Sequence, residues 1–251
     1  MTIYADFARF YASGEYPGYS MRIADRIPEL LADWGGPTSG RLLDLACGTG
    51  TFTLEMAARG WQVSGLDQSD QMLDFARALA VERNLRATFV KGDMRSFKFQ
   101  KPFDLVTCWF DSLNYLLNEG DLSKAFTQVR TALKRGGWFV FDMNTICGLM
   151  AGWMRDKAYV QAETERYLEL HRPVFDYESN IVTLRITIFE KEGELYRRYD
   201  ELHSEKGYPQ ALIQSMLEMA GFEVMQILGS LKDLTPPKPD SGRIWVAAQA
   251  V

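Results

Sequence analysis

Apolar runs and amphipathic stretches alternate along the chain between residues 41 and 144. Continuous apolar runs predict strands that are buried on both faces, and apolar residues at helical spacing predict helices that cover them. The predicted strands span residues 42–45, 62–66, 103–110 and 138–142, and the predicted helices span residues 51–59, 69–83 and 121–134. This alternation predicts an α/β fold in which a parallel sheet carries helices on both faces.

The pattern changes after residue 144, where apolar and polar residues alternate one by one. Residues 182–188 show this alternation, which is typical of an antiparallel strand with one covered face. We predict strands over residues 159–170, 181–190 and 194–204, the last two joined by a turn at residues 191–193. This antiparallel part is therefore predicted to be an insertion after the strand at 138–142, which is strand five of the main sheet.

The end of the chain returns to the first pattern. It predicts a helix over residues 208–220, strands over 222–228 and 244–248, and a proline-containing loop at 230–242. Ligands of such sheets lie beyond the carboxyl ends of the strands, so an insertion there is expected to act as a substrate lid. The predicted division is a main domain of residues 1–145 and 207–251, with a helical cap at 1–35, and an insertion at 146–206.

The first strand leads into a turn of small residues, D-L-A-C-G-T-G, at positions 44–50. Side chains of this size cannot keep a ligand away from the main chain, and the helix that follows points its N-terminal N–H groups at whatever is bound. Asp44, inside the turn, can meet a cationic or amino group. The dehydrogenase fingerprint G-x-G-x-x-G needs a third glycine where this chain has Thr53, which weakens a dinucleotide-binding interpretation.

The turn at 44–50 resembles motif I of the class I S-adenosylmethionine-dependent methyltransferases, with Ala46 in place of the first glycine. Three later segments follow in that family's order, namely the strand that ends in Asp67, V-K-G-D-M at 90–94 and F-D-L-V-T-C-W-F at 103–110. The resemblance implies S-adenosyl-L-methionine as the cofactor. It also implies a Rossmann-like, seven-stranded, mostly parallel sheet.

The same resemblance implies roles for particular side chains. Asp67 would accept hydrogen bonds from the ribose hydroxyls, and Asp93 would receive the adenine amino group. Tyr11 and Tyr19 of the aromatic N-terminal segment would reach the methionine part, where Arg22 could pair with the carboxylate, although simple packing on the sheet is an equal alternative. The implied cofactor-binding set is Tyr11, Tyr19, Arg22, Asp44, Ala46, Gly48, Gly50, Asp67, Gln68, Met72, Gly92, Asp93, Met94, Cys108 and Trp109.

Composition limits the substrate. The net charge of −5 argues against nucleic acid, because binding to phosphates draws on clustered Lys and Arg. No apolar run is long enough to cross a membrane, there is no N-terminal signal pattern, and Cys47, Cys108 and Cys147 suggest free thiols, so we predict a cytoplasmic protein without membrane contact. A small-molecule substrate is therefore expected, and a homodimer is compatible with the sequence.

A closer resemblance concerns the acceptor. Two segments resemble those of N-methyltransferases that act on amino sugars attached to nucleotides. They are Y-A-D-F near the start and C-W-F-D-S-L-N-Y-L-L, which begins at residue 108 at the end of the predicted strand 103–110. The sequence leaves open whether the methyl acceptor is nitrogen or oxygen. No catalytic residue is assigned; Asp111 is a candidate for orienting substrate, and His203 or His171 for a general base.

Three alternative functions are compatible with parts of the sequence. A metal-assisted reaction could draw on Asp111, Asp142 and Asn144, but the adjacent Asp-Asn pair of catechol-type O-methyltransferases is absent, so no metal is predicted. A nicotinamide-dependent oxidoreductase is disfavoured by Thr53 and by the lack of a suitably placed Tyr-x-x-x-Lys pair. A non-catalytic module that binds S-adenosylmethionine remains open from the sequence alone.

Overall fold

The structure, a computed structural model, describes residues 3–4, 6–14, 16–154 and 156–251, without the side chain of Trp153. Five residues lie outside the described part of the chain. Residues 1, 2, 5 and 15 belong to the predicted cap at 1–35, and residue 155 belongs to the predicted insertion. The helices are Phe7–Ser13 (α1), Pro17–Asp33 (α2), Thr51–Ala58 (α3), Asp70–Glu82 (α4), Glu119–Ala132 (α5), Ile146–Gly148 (α6) and Gln210–Met219 (α7).

Two sheets are present in the described chain. The strands are Arg41–Leu45 (β1), Gln62–Asp67 (β2), Thr88–Lys91 (β3), Phe103–Cys108 (β4), Leu133–Asn144 (β5), Tyr159–Glu163 (β6), Tyr167–Asp176 (β7), Ile181–Glu192 (β8), Leu195–Lys206 (β9), Phe222–Leu228 (β10) and Arg243–Ala250 (β11). Seven strands form one sheet in the order β10-β11-β5-β4-β1-β2-β3, and β6 to β9 form a separate sheet in sequence order. In the seven-stranded sheet only β11 pairs antiparallel, with β10 and with β5, which confirms the predicted mostly parallel sheet.

The two faces of the seven-stranded sheet are covered by different helices, because alternate strand residues point to opposite faces. Phe139 and Phe141 of β5 pack in one core with apolar residues of α5 and α7. Trp138 and Val140 of the same strand pack in the other core with apolar residues of α2 and α3. The predicted placement of helices on both faces is confirmed by these two cores.

The inserted sheet follows β5 and is antiparallel throughout, as predicted. The predicted single strand at residues 159–170 is wrong, however, because Tyr159–Glu163 and Tyr167–Asp176 are two paired strands. The hydroxyl of Thr164 accepts hydrogen bonds from the N–H groups of Arg166 and Tyr167, which reverses the chain between them. The insertion therefore has four strands, of which β7 and β9 flank β8.

Some predicted boundaries also shift. The helix expected at 121–134 is Glu119–Ala132, because Asn118 caps its N-terminus by accepting a hydrogen bond from the N–H of Asp121. The strand expected at 138–142 is longer, because β5 begins at Leu133 and includes Gly136 and Gly137. These corrections leave the order of the elements unchanged.

The N-terminal helix α1 packs on the inserted sheet. Phe7 and Phe10 share a small apolar core with Leu184, Ile186 and Ile188 of β8. The sheet that follows β5 and the segment that precedes β1 therefore meet over the carboxyl edge of the seven-stranded sheet.

Candidate functional site

The carboxyl ends of β1, β2 and β4 meet at one edge of the seven-stranded sheet, where a cavity of about 410 Å³ lies. Gly48 after β1, Asp67 at the end of β2 and Trp109 after β4 line it, and Tyr4 and Tyr11 cover it from the N-terminal segment. We call this space the loop cavity. It lies where open parallel sheets bind their ligands.

The turn after β1 uses the left-handed backbone region three times. The φ angle is 52° at Ala46, 53° at Gly48 and 76° at Gly50. A Cβ at Gly50 would come within 2.9 Å of the Cβ of Ala76, so glycine here allows α4 to pack closely. A Cβ at Gly48 would meet no atom within 4 Å, and Gly48 lines the loop cavity, so its main chain is open to a ligand.

Asp67 holds this turn while its side chain lines the loop cavity. The carboxylate accepts hydrogen bonds from the backbone N–H groups of Gly48 at 2.8 Å and Ser69 at 2.9 Å. Burial raises the pKa of Asp67, although the backbone hydrogen bonds act against that shift. The carboxylate is thereby oriented at the end of β2.

Asp44 of β1 is 2% exposed and lines the same cavity. Its carboxylate accepts hydrogen bonds from the hydroxyls of Thr53 at 2.6 Å and Thr107 at 3.0 Å. Burial raises the pKa of Asp44 to about 7, while the two hydroxyl bonds lower it and the charge of Asp67 raises it further. Thr53, which takes the place of a dinucleotide-binding glycine, therefore orients a buried carboxyl.

The turn after β4 is held by an ion-pair network. Phe110 and Asp111 both have positive φ, at 59° and 54°. Asp142 of β5 accepts hydrogen bonds from both N–H groups, at 2.7 and 3.3 Å, and also pairs with the guanidinium of Arg243. Arg243 reaches Asp111 as well, at 2.6 Å. Such backbone strain costs on the order of 1–3 kcal/mol per residue, and networks of this kind maintain it at functional sites.

A second cavity, of about 280 Å³, lies between this turn, α1 and the inserted sheet. We call it the insertion cavity. Tyr4, Tyr11, Phe110 and Tyr115 line both cavities, so the two spaces meet at these four rings. A larger open groove of about 1270 Å³, near Arg41, shares no lining residue with either cavity.

Two histidines line the insertion cavity, and each is held by the glutamate two residues before it on the same strand. His171 Nε2 lies 2.6 Å from Glu169, which also accepts a hydrogen bond from the Tyr16 hydroxyl at 2.6 Å. His203 Nε2 lies 3.2 Å from Glu201, and its Nδ1 lies 2.9 Å from the Tyr115 hydroxyl. Both ring nitrogens of His203 therefore have partners.

Glu201 also joins the N-terminal segment to the inserted sheet. Its carboxylate accepts hydrogen bonds from the backbone N–H groups of Tyr4 at 2.8 Å, Asp6 at 3.0 Å and Phe7 at 2.9 Å. Burial would raise the pKa of Glu201, but these bonds and the one from His203 lower it overall. The start of α1 is thus fixed over both cavities.

A third carboxyl of the inserted sheet, Glu205, is 1% exposed and lines the insertion cavity. The Asn144 amide donates to Glu205 at 3.1 Å and to Asp111 at 2.6 Å, so it bridges the two acids. Burial, and then the charge of Asp111, raise the pKa of Glu205 well above its usual range, against the effect of the Asn144 bond.

The structure brings ten of the fifteen predicted cofactor-binding residues to the loop cavity. They come from the N-terminal segment and from the ends of the first strands. They are Tyr11, Asp44, Ala46, Gly48, Asp67, Gln68, Met72, Gly92, Met94 and Trp109. The three acceptor-side candidates, Asp111, His171 and His203, line the insertion cavity instead.

The other five predicted residues do not line the loop cavity. Asp93 is turned to Arg95, whose guanidinium bonds both of its carboxylate oxygens. Tyr19 stacks on Phe110 with ring centroids 4.8 Å apart, while Arg22 is exposed on α2. Cys108 is buried in the sheet core, and Gly50 contacts α4 as described above.

Several lining residues were not expected from the sequence. Tyr4, Tyr115 and Arg243 enter the site from three distant parts of the chain, and no local motif marks them. Glu205 had a signal, because Glu201, His203 and Glu205 recur with a period of two and therefore share one face of β9.

Comparisons with known proteins agree with this architecture. Residues 42–137 match a family model described as a methyltransferase domain. YqeM of Bacillus subtilis (strain 168), named as a methyltransferase, is 33% identical over 214 residues, which are 85% of each chain. The chain belongs to the class I S-adenosylmethionine-dependent methyltransferases.

Two further similarities extend over most of the methyltransferase. The dTDP-3-amino-3,4,6-trideoxy-alpha-D-glucopyranose N,N-dimethyltransferase of Streptomyces venezuelae is 27% identical over 77% of this chain and 79% of its own. The crystal structure of an S-adenosylmethionine-dependent methyltransferase from Clostridium acetobutylicum ATCC 824 matches with a TM-score of 0.84 and 26% identity over 99% of both chains.

Family membership settles the class of reaction and the methyl donor, S-adenosylmethionine. This sets aside the oxidoreductase, which the sequence disfavoured, and the non-catalytic module, which it left open. The loop cavity suits this cofactor, because it combines open main chain at Gly48, the carboxyls of Asp44 and Asp67, and the apolar side chains of Met72 and Met94. Among the described residues no helix is long and apolar enough to cross a membrane.

Proposed function

We propose that this methyltransferase transfers a methyl group to an amino nitrogen of a small polar molecule bound in the insertion cavity. The observation that carries the proposal is a surplus of carboxyl groups. Asp111 and Glu205 line the cavity, Glu169 and Glu201 hold its histidines, and Arg243 is the one Lys or Arg on its described lining. Such surroundings favour a molecule that arrives as an ammonium ion over an anion.

The size of the cavity restricts the acceptor. Its volume of about 280 Å³ is slightly below the range of about 300–1,000 Å³ for small-molecule sites. The part of the acceptor that enters is therefore small, comparable with a single substituted ring. An apolar wall against which such a ring can pack is formed by Phe7 of α1 and by Leu184 and Ile186 of β8.

The loop cavity is proposed to hold S-adenosylmethionine. Asp67 would accept hydrogen bonds from the ribose hydroxyls, Asp44 would face the amino group, and Met72 and Met94 would cover the adenine ring. Bound S-adenosylmethionine supplies a methyl carbon already activated by its sulfonium. The protein then has to align the acceptor nitrogen and exclude water.

The four rings shared by the cavities suit this task. Tyr4, Tyr11, Phe110 and Tyr115 surround the junction through which a methyl group would pass. Burial raises the pKa of the Tyr4, Tyr11 and Tyr115 hydroxyls, so they stay protonated and act as hydrogen-bond donors or acceptors without charge. We assign them positioning roles, together with His203.

The similarity to the Streptomyces venezuelae enzyme supports an amine acceptor, since that relative is named for dimethylation of an amino sugar. A transfer assay would test the proposal. The protein is incubated with S-adenosylmethionine and a panel of amino sugars, including dTDP-3-amino-3,4,6-trideoxy-alpha-D-glucopyranose, each beside its hydroxyl counterpart. Mass spectrometry should show methyl groups added to amine members only. Transfer to hydroxyl members alone, or to no amine, would contradict the proposal.

A further inference from the structure

Glu205 holds an unusual position on the inserted sheet. It lies on the face of β9 that carries Glu201 and His203, and it is almost completely buried at the wall of the insertion cavity. One carboxyl oxygen, Oε2, accepts a hydrogen bond from Asn144. The other, Oε1, is buried and has no hydrogen-bond partner among the described residues.

The position of the Glu205 carboxyl is set by two asparagines. The Asn114 amide donates to the carbonyl oxygens of Asn144 at 3.0 Å and Lys206 at 2.8 Å, and its oxygen accepts from the N–H of Asn144 at 3.0 Å. These bonds join the turn after β4 to the ends of β5 and β9. They hold the backbone of Asn144, whose side chain donates to Glu205, and of Lys206, which follows Glu205 in the chain.

The other acids around this cavity have partners for their charge. Asp111 pairs with Arg243, Glu169 is bonded to His171 and Tyr16, and Glu201 accepts three backbone N–H groups. Glu205 has only a neutral amide. A buried polar atom without a partner is destabilising, so its presence at a cavity wall points to a donor that arrives with the ligand.

We infer that Glu205 is the proton acceptor for the amino group of the methyl acceptor. The inference rests on the proposed function, in which that acceptor is an amine. An ammonium group, R–NH₃⁺, transfers one proton to Oε1 of the Glu205 carboxylate, giving R–NH₂ and a neutral carboxyl. The electron pair of the broken N–H bond stays on nitrogen as the lone pair that methylation requires.

The surroundings make Glu205 a stronger base than an exposed glutamate. Burial and the nearby Asp111 raise its pKa, which brings that pKa closer to the pKa of an amine and makes the transfer less uphill. Tyr4, Tyr115, His203 and Arg243 also face this cavity. Arg243 is bonded to Asp111 and Asp142, so the charges of those two acids offset its positive charge.

The test compares Glu205→Gln with Glu194→Gln, an exposed residue in the turn between β8 and β9. Methyl transfer to dTDP-3-amino-3,4,6-trideoxy-alpha-D-glucopyranose, or to the best amine of the panel, is measured from neutral to alkaline pH. Glu205→Gln should lower kcat/KM about 100-fold at neutral pH. The loss should shrink as the pH approaches the pKa of the amine, since a neutral amine needs no base. Glu194→Gln should behave as the wild type.

A second measurement uses no turnover and needs no variant. The wild-type protein, saturated with S-adenosylhomocysteine, is titrated calorimetrically with the same amine in two buffers of different ionisation enthalpy. Proton release per bound amine should fall as the pH rises through the pKa of Glu205, because the carboxylate then keeps the proton. Release of a full proton at every pH below the pKa of the amine would overturn the inference, even if Glu205→Gln failed to fold.

The outcomes separate the two proposals. If the wild type methylates an amine and Glu205→Gln does so with the same kcat/KM and pH profile, Glu205 is not the proton acceptor and the proposed function stands. If the wild type methylates no amine, the proposed function falls and this role falls with it.

Discussion

The loop cavity and the insertion cavity touch, yet they are assembled in opposite ways. Apart from four residues of the N-terminal segment, the described lining of the loop cavity comes from residues 44–115. The insertion cavity draws on the N-terminal segment, on residues 110–115, 152–171 and 184–205, and on Arg243. One half of the site is therefore formed by neighbouring strand ends, whereas the other depends on contacts between segments that are distant in the chain.

The charged groups of the two cavities also have different kinds of partners. In the loop cavity the acids Asp44 and Asp67 accept hydrogen bonds from neutral hydroxyl and backbone groups. In the insertion cavity Arg243 binds two acids, and two histidines lie against glutamates. Loss of one partner there leaves a buried charge uncompensated. We therefore expect substitutions in the insertion cavity to affect folding and those in the loop cavity to affect cofactor binding.

Removal of Arg243 should have the largest effect. Arg243→Ala would leave Asp142, which is fully buried, and Asp111 without their cation. Breaking a buried ion pair in this way costs about 3–5 kcal/mol. The free energy of unfolding from denaturant titration should fall by that amount.

The matched control is Arg197→Ala. Arg197 is largely exposed on β9 and pairs with Glu192, and an exposed pair contributes about 0–1 kcal/mol. If the two variants unfolded with the same free energy, the network around Arg243 would not be what holds the turn after β4.

Loss of Asp67 should have a smaller effect, and on a different property. Asp67→Ala removes a charged acceptor from the ribose hydroxyls, so the binding free energy of S-adenosylhomocysteine should weaken by about 1–3 kcal/mol in calorimetric titration. Asp74→Ala, on the exposed side of α4, serves as the control because Asp74 pairs with Arg77 at the surface and does not line the described loop cavity. Unchanged affinity in Asp67→Ala would mean that Asp67 does not bind the ribose.

The difference in assembly also explains what could be predicted from the sequence. Asp44, Gly48 and Asp67 follow from a strand, a turn and the next strand, because parallel strands bring their carboxyl ends together at one edge. Asp93 shows the limit of this reasoning. Arg95, only two residues away, binds its carboxylate, and the choice of partner depends on side-chain rotamers that a motif does not specify.

The insertion cavity was harder to predict for a different reason. Its alternating pattern predicted antiparallel strands, but a shift of one residue in register would move every side chain to the other face. Only the pairing of Leu184 with His203 and of Ile186 with His171 shows that these polar residues face the cavity together with β8. Arg243 could not be predicted, since its partners lie 132 and 101 residues earlier in the chain.

The smallest expected effect is a pH dependence of cofactor affinity. Burial raises the pKa of Asp44 to about 7, so the carboxyl loses its charge as the pH falls below that value. A neutral Asp44 attracts the amino group of the cofactor less strongly than a carboxylate does. The affinity for S-adenosylhomocysteine should therefore fall with decreasing pH, by at most about tenfold, or ~1.4 kcal/mol, per pH unit, and it should level off above the pKa.

Three variants show which residue causes this pH dependence. Asp44→Asn should bind S-adenosylhomocysteine with little change across the same pH range, whereas Glu205→Gln, in the other cavity, should keep the wild-type slope. Asp67 needs its own variant, because its pKa is also raised by burial and it faces the same cavity. A slope that survived in Asp44→Asn and vanished in Asp67→Asn would identify Asp67 as the titrating group. Loss of the slope in Glu205→Gln would show that the two cavities are electrostatically coupled, despite their separate construction.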